Sequence, residues 1–285
     1  MIAPHNERVP QTWSWDETLY AGSAAHYVKG RMPYPSDLGA RIAQAARVGA
    51  QARALDVGCG PGSLTLLLAG CMDEVVGLDA DAEMLEQARL AARRHGVTNA
   101  RWVNMRGEEL PAELGAFDLV TFAQSFHWME RRRVAALVHG MLRPGGALVH
   151  VHATTGSGDS SSDPLSRPRP PYERIRALVG SYLGPVPRAG RSRLATPRSG
   201  ESAIYQQAGF GDPVRVEVPR AELVERSVQE IVDATFSLSS SAPHLFGDRL
   251  EQFEAELRAL LERAADGGLF CERLRDIAFD VWRAR

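Results

Sequence analysis

Asp56, Gly58, Gly60 and Gly62 stand at alternate positions at the end of an apolar run, and Asp79 closes a second apolar run roughly twenty residues on. Alternating glycines allow a tight turn with φ > 0, or let a ligand press against bare backbone. A carboxylate two residues before the first glycine would repel a pyrophosphate and suits a ligand with an ammonium group. A carboxylate at the tip of the second strand has two oxygens that can accept both hydroxyls of a ribose. The dinucleotide fingerprint, by contrast, is G-x-G-x-x-G and seats a pyrophosphate on a helix N-terminus. The spacing here favours a ribose joined to an ammonium.

The elements that must position these groups follow from hydrophobic periodicity. Ser36 caps a helix with Leu38, Ile42 and Ala45 on one face, ahead of strand 1 (54–57) and a helix over 62–69. Strand 2 ends at Asp79, and Asp81 caps a helix buried through Met84, Leu85, Ala88 and Ala92. Strands 3 (101–105) and 4 (117–122), a helix over 131–141 and strand 5 (147–151) follow. Gly156 to Ser162 reads as a mobile linker. Beyond it come helices over 171–183 and 201–208, strand 6 (213–218), helices over 228–236 and 246–265, and a last strand over 275–282. The divisions expected are a lid (1–35), a core (36–155), a linker with a cap helix (156–200) and a segment completing the sheet (201–285).

Asp56-x-Gly58-x-Gly60-x-Gly62 resembles motif I of the class I S-adenosylmethionine-dependent methyltransferases, [DE]-x-G-x-G-x-G, and Asp79 matches their ribose-binding acid. Tyr27-x-x-x-Arg31-Met32-x-Tyr34-Pro35 resembles their Y-x-x-x-R-P-x-Y-P entry, with methionine in the place of one proline. The resemblance implies that Arg31 and Tyr27 approach the methionine carboxylate, which a guanidinium can pair with bidentately. Arg106-Gly107-Glu108-Glu109-Leu110-Pro111 is similar to the adenine loop G-D-A-E-x-L-P. Arg106 replaces the usual aspartate, leaving the backbone of Gly107 and Glu108 to read the adenine edge. The implied cofactor is S-adenosylmethionine, held by these residues together with Cys59, Ala80, Met84, Ala123 and Gln124. The implied fold is α/β: a Rossmann-like doubly wound seven-stranded sheet, last strand antiparallel, with a helical cap. Phe117-Asp118-Leu119-Val120 through Gln124, His127 and Trp128 is typical of small-molecule members akin to the trans-aconitate and ubiquinone-pathway enzymes.

Methyl transfer from a sulfonium mainly requires nucleophile, carbon and sulfur to be collinear in a dry pocket. A base is needed only for a protonated acceptor. His127 and His152 are the candidate bases, and His127, Trp128, His152 and Phe236 the candidate acceptor pocket. His127 also reads simply as pocket lining, and Trp128 as a wall for substrate or sulfonium. The acceptor expected is a small molecule methylated on O, N or C. The [DN]-P-P-[YF] motif of amino-methylating DNA enzymes is replaced by Ala123-Gln124-Ser125-Phe126, and no cysteine has the setting of a cytosine-C5 nucleophile. Eight arginines against one acid between Pro164 and Gly200 read as a solvated cap or as an anion-recognising surface. A net charge of −2 offers no general attraction to nucleic acid or membrane. Three cysteines without ligand spacing fit a reduced compartment, read here as cytoplasmic, with no metal. Monomer and homodimer stay open. So do a nicotinamide-dependent oxidoreductase and a catalytically silent protein that binds S-adenosylmethionine.

Overall fold

The computed structural model describes residues 15–161, 163–185, 188–189, 192–193 and 200–284. Residues 1–14 of the expected lid, Ser162 of the linker, and Arg191 and Arg198 of the arginine-rich stretch lie outside these residues. In chain order the elements are α1 (Ala24–Gly30), α2 (Leu38–Ala46), β1 (Arg53–Val57), α3 (Thr65–Ala69), β2 (Glu74–Asp79), α4 (Ala82–Arg94), β3 (Ala100–Asn104), β4 (Phe117–Ala123), α5 (Arg131–Met141) and β5 (Leu142–His152). Then come α6 (Tyr172–Leu183), α7 (Glu201–Gln207), β6 (Val214–Val218), β7 (Leu223–Ser227), α8 (Val228–Phe236), α9 (Leu250–Ala264), β8 (Leu269–Arg273) and β9 (Ile277–Arg283), besides one two-residue hairpin.

Seven strands form one sheet in the order β3-β2-β1-β4-β5-β9-β6. β1 to β5 are mutually parallel, and β9 runs antiparallel between β5 and β6. This is the α/β sheet expected from the sequence. Side chains alternate between its faces. Ala54, Leu119 and Val149 pack with Leu38, Ile42 and Leu68 on one side; Leu55, Val120 and Leu148 pack with Val134, Val138 and Tyr205 on the other. Covering both faces explains why β1 and β4 read as nearly unbroken apolar runs. The order reverses at β1 and β4, where doubly wound sheets leave a crevice beyond the strand tips.

The cap contains a feature the sequence reading missed. β7 and β8 pair antiparallel, Leu223 opposite Arg273 and Ser227 opposite Leu269. Each is only five residues long and carries an adjacent Glu and Arg inside or at its end, so neither shows a recognisable strand pattern. A buried ion pair explains their polarity. Arg226 meets Glu272 at 3.2 Å, with the side chains 5% and 2% exposed. Arg226 also donates to the carbonyl of Gly30 at 2.6 Å, while Glu272 accepts from Tyr172 Oη at 2.9 Å and from Gly158 N at 2.6 Å. One charge pair thus ties α1, α6 and the β7–β8 ladder together.

Two expectations change here. Gly156 to Ser161 is not a free linker: besides the Gly158 bond, Asp159 N donates to Arg273 O at 2.9 Å and Arg169 donates to the Asp159 carboxylate at 3.2 Å. Phe236 is not among the residues that line the crevice beyond the strand tips. It is 1% exposed and packs within 6.1 Å of the Phe246 and Phe253 rings, because its side of α8 faces α9.

Glu272→Ala leaves the Arg226 charge buried and unpaired, and should lower the unfolding free energy by about 3–5 kcal/mol in urea denaturation. Replacing both partners by methionine and leucine should recover most of that loss. Equal destabilisation by the single and double variants would contradict this account.

Candidate cofactor-binding site

Beyond β1 the chain turns through Gly58, Gly60 and Gly62 at φ +70°, +54° and +82°. The three glycines are required for different reasons. A Cβ on Gly58 would come within 2.4 Å of Ser125 Cβ, and one on Gly62 within 2.7 Å of the Trp102 ring. A Cβ on Gly60 would meet nothing within 4 Å. The outer two glycines therefore serve internal packing, and only Gly60 faces open space.

That space is a cavity of about 1200 Å³, mouth included, bounded by the turn, the tip of β2, the loop after β3, the end of β4 and the segment 15–34. Tyr27, Arg31, Asp56, Gly58, Cys59, Gly60, Asp79, Ala80, Met84, Gly107, Glu108, Ala123 and Gln124 all border it, as does Trp128. Asp79 Oδ2 accepts from Gly60 N at 2.7 Å and Oδ1 from Asp81 N at 2.9 Å. Burial pushes its carboxyl up to about 6, against the lowering effect of those two N–H groups. Asn104 Nδ2 donates to the carbonyls of Asp79 and Ala80, each at 3.0 Å, and so steadies the strand tip.

Arg31 is held from below. Its Nε donates to Ser237 Oγ and its Nη2 to Ser237 O, both at 2.8 Å, and the guanidinium stands 4.6 Å from the centre of the Tyr27 ring. Among the described residues it makes no ion pair, so this cation on the cavity wall has capacity for a ligand carboxylate. Gln124 takes φ +64°, uncommon for a residue with a side chain, and donates to Val151 O at 2.8 Å. The strained backbone stands at the carboxyl end of β4, at the cavity edge.

Two acids do other work than expected. Asp56 has no exposed surface: its oxygens accept from the hydroxyls of Thr65 at 2.7 Å and Thr121 at 2.8 Å. It holds β1 to α3 and β4 behind the turn, and its direct contact with a ligand ammonium is corrected to a charge acting from behind the glycines. Burial raises its carboxyl above the usual range, with both threonine bonds opposing. The Glu108 side chain is likewise taken up by the scaffold, which leaves its backbone for the adenine role expected of it. Glu108 is buried and accepts from Glu130 N at 2.7 Å, fixing the start of α5.

The two histidines lie apart from the lining. His127 is outside the set of cavity-lining residues and packs its ring 4.5 Å from that of Trp128. His152 sits in an adjoining polar cleft, Nε2 2.9 Å from Asp280 Oδ2 and its ring stacked 4.7 Å from His150. Gln124 borders both spaces. Trp15, Tyr20 and Tyr34, which fall in the expected lid but were not singled out as site residues, also line the cavity, as do Met105 and Thr155. Tyr34 could have been found as the second tyrosine of the entry pattern; burial and the neighbouring Tyr27 push its phenol up. The other four carry no motif of their own.

The division of labour among the glycines is testable by urea denaturation. Gly58→Ala should cost about 1–3 kcal/mol for overpacking, on top of the positive-φ penalty. Gly60→Ala should cost only the latter, about 1–2 kcal/mol. Equal losses would contradict the assignment.

Residues 54–146 match the family described as "Methyltransferase domain". An uncharacterized methyltransferase of Mycobacterium tuberculosis is 36% identical over 137 residues, 47% of this chain and 51% of its own. The CRG1 protein of Saccharomyces cerevisiae, named for S-adenosylmethionine-dependent methyl transfer, is 30% identical over 125 residues, 43% of each chain. The chain thus spans about half the length of the curated relatives it matches. The crystal structure of the [4+2]-cyclase SpnF shares the fold, with TM-score 0.53 at 16% identity over 96% of this chain and 97% of that one. Through the matched segment, 54–146, the chain is similar to the S-adenosylmethionine-dependent methyltransferases.

Proposed function

We propose that the whole protein transfers a methyl group from S-adenosylmethionine to O, N or C of a small organic acceptor by in-line displacement. The observation that carries this reading is the pairing of Asp79 with the Gly60 N–H at the rim of a cavity also lined by Arg31, which makes no ion pair among the described residues. The bound cofactor supplies an electrophilic methyl on a sulfonium. Asp79 is assigned to the ribose diol, since each of its oxygens can still accept a hydroxyl. Arg31 is assigned to the cofactor carboxylate, and the Gly107 and Glu108 backbone to the adenine edge. Residues 15–34 serve as a lid that excludes water.

The acceptor is assigned to the side of Gln124 and Trp128, past the end of β4. There His152, turned by Asp280, is the better placed of the two candidate bases: it shares the Gln124 border, whereas His127 stands behind Trp128. The resemblance to trans-aconitate and ubiquinone-pathway enzymes supports a small-molecule acceptor. Fold alone does not decide the chemistry, as the cyclase with the same fold illustrates.

Calorimetric titration with S-adenosylhomocysteine and then NADH tests this. The thioether should bind and NADH should not; the reverse result overturns the proposal and favours an oxidoreductase. Asp79→Ala should weaken S-adenosylhomocysteine by more than about tenfold, as expected for loss of hydrogen bonds to a charged acceptor. Because the Asp79 carboxyl titrates near 6, its ionised form is complete at neutral pH and lost on acidification. Affinity should therefore be level above about pH 7, fall as pH drops below about 6, and lose that dependence in Asp79→Asn.

A further inference from the structure

Three aromatic rings from three separate segments converge on the same end of the cavity. Tyr20 precedes α1, Tyr27 lies on it, and Trp128 ends the single turn of helix after β4. The Tyr20 ring stands 6.3 Å from Tyr27 at 78° and 6.1 Å from Trp128 at 90°. Two perpendicular ring faces that share a cation about 4.5 Å from each have centres about 6 Å apart, within the range of cation–π attraction. The separations match that arrangement.

The position matches it too. Tyr27 carries the Arg31 guanidinium on its ring, which places the group at the carboxylate end of the assigned ligand. The backbone N–H of Trp128 donates to the carbonyl of Ser125, the residue packed on Gly58. In an adenosyl amino acid the sulfur lies between the ribose and the amino-acid carbons, hence between Asp79 and Arg31. The surrounding charge points the same way, since six cavity-lining residues are acidic and two are basic.

We propose that Tyr20 and Trp128 form an aromatic corner that reads the positive charge on sulfur, so that the cavity binds S-adenosylmethionine more tightly than its demethylated product. This rests on the methyl-donor reading above. S-adenosylhomocysteine lacks both the methyl and the charge, and so loses the attraction while keeping the adenine, ribose and carboxylate contacts. The preference favours exchange of spent product for fresh donor. It also makes Tyr20, which no sequence motif marks, a determinant of cofactor selectivity.

The test needs no acceptor. Dissociation constants at pH 7 are measured by calorimetry for S-adenosylmethionine, S-adenosylhomocysteine and sinefungin, whose ammonium replaces the sulfonium. Wild-type protein should prefer the two cationic ligands by about three- to thirtyfold. In Tyr20→Leu and Trp128→Leu, which keep apolar bulk without a π face, that ratio should shrink toward one while S-adenosylhomocysteine affinity changes less than about threefold. Tyr20→Phe should retain the ratio. A wild-type ratio of one, or leucine variants that weaken all three ligands by a common factor, overturns the aromatic corner and leaves the donor assignment standing. Failure of all three ligands to bind the wild-type protein overturns the donor assignment, and the corner with it.

Discussion

The carboxylate of Asp79 is the point at which the turn after β1, the tip of β2 and the start of α4 are joined. It accepts from Gly60 N on one side and Asp81 N on the other, so three segments take their positions from one side chain. Asp81 in turn caps α4 by accepting from Glu83 N and Met84 N, which brings Met84 to the cavity wall. Any ligand that bonds to Asp79 meets a group already held on two sides. Little ordering remains to be done on binding, which is the benefit of preorganisation.

A partly buried carboxylate is an expensive way to build a rim, since burial pushes it up to about 6. The arrangement is tolerable because both oxygens have backbone donors and the cavity admits further ones. Asp56 shows the complementary solution. With no exposed surface, it is satisfied by two threonine hydroxyls and becomes part of the scaffold. Two acids on neighbouring strands, alike in sequence context, thus have different tasks, according to which backbone or side-chain donors stand beside them.

The segment 15–34 depends on a second buried charge. Arg226 holds the carbonyl that ends α1, and α1 meets α8 so closely that a Cβ on Gly30 would fall 2.2 Å from Ala234 N. His26 adds a 2.6 Å contact to Asp233 on the same helix pair. Ser237, at the end of α8, then receives Arg31. The cap therefore fixes the guanidinium that faces the cavity, although the two are about two hundred residues apart in the chain.

Much of the core was legible because its physics is local. Strand runs, the Asp81 cap, the glycines with φ > 0 and the acid at the strand tip each follow from neighbouring residues, and every cofactor residue expected from them borders one cavity. Long-range pairing decided the rest. The β7–β8 ladder, the pinning of Gly158, the burial of Phe236 against α9 and the capture of Glu108 by Glu130 depend on partners that no window of sequence brings together. His127 and His152 were nominated by type and by place near strand ends; whether either faces the cavity depends on neighbouring rings and on β9, which supplies Asp280. By itself the sequence determined where the glycine turn and the acid at the strand tip fall. Tertiary structure decided which side chains reach it, because a carboxylate or an imidazole binds whichever donor the fold puts nearest.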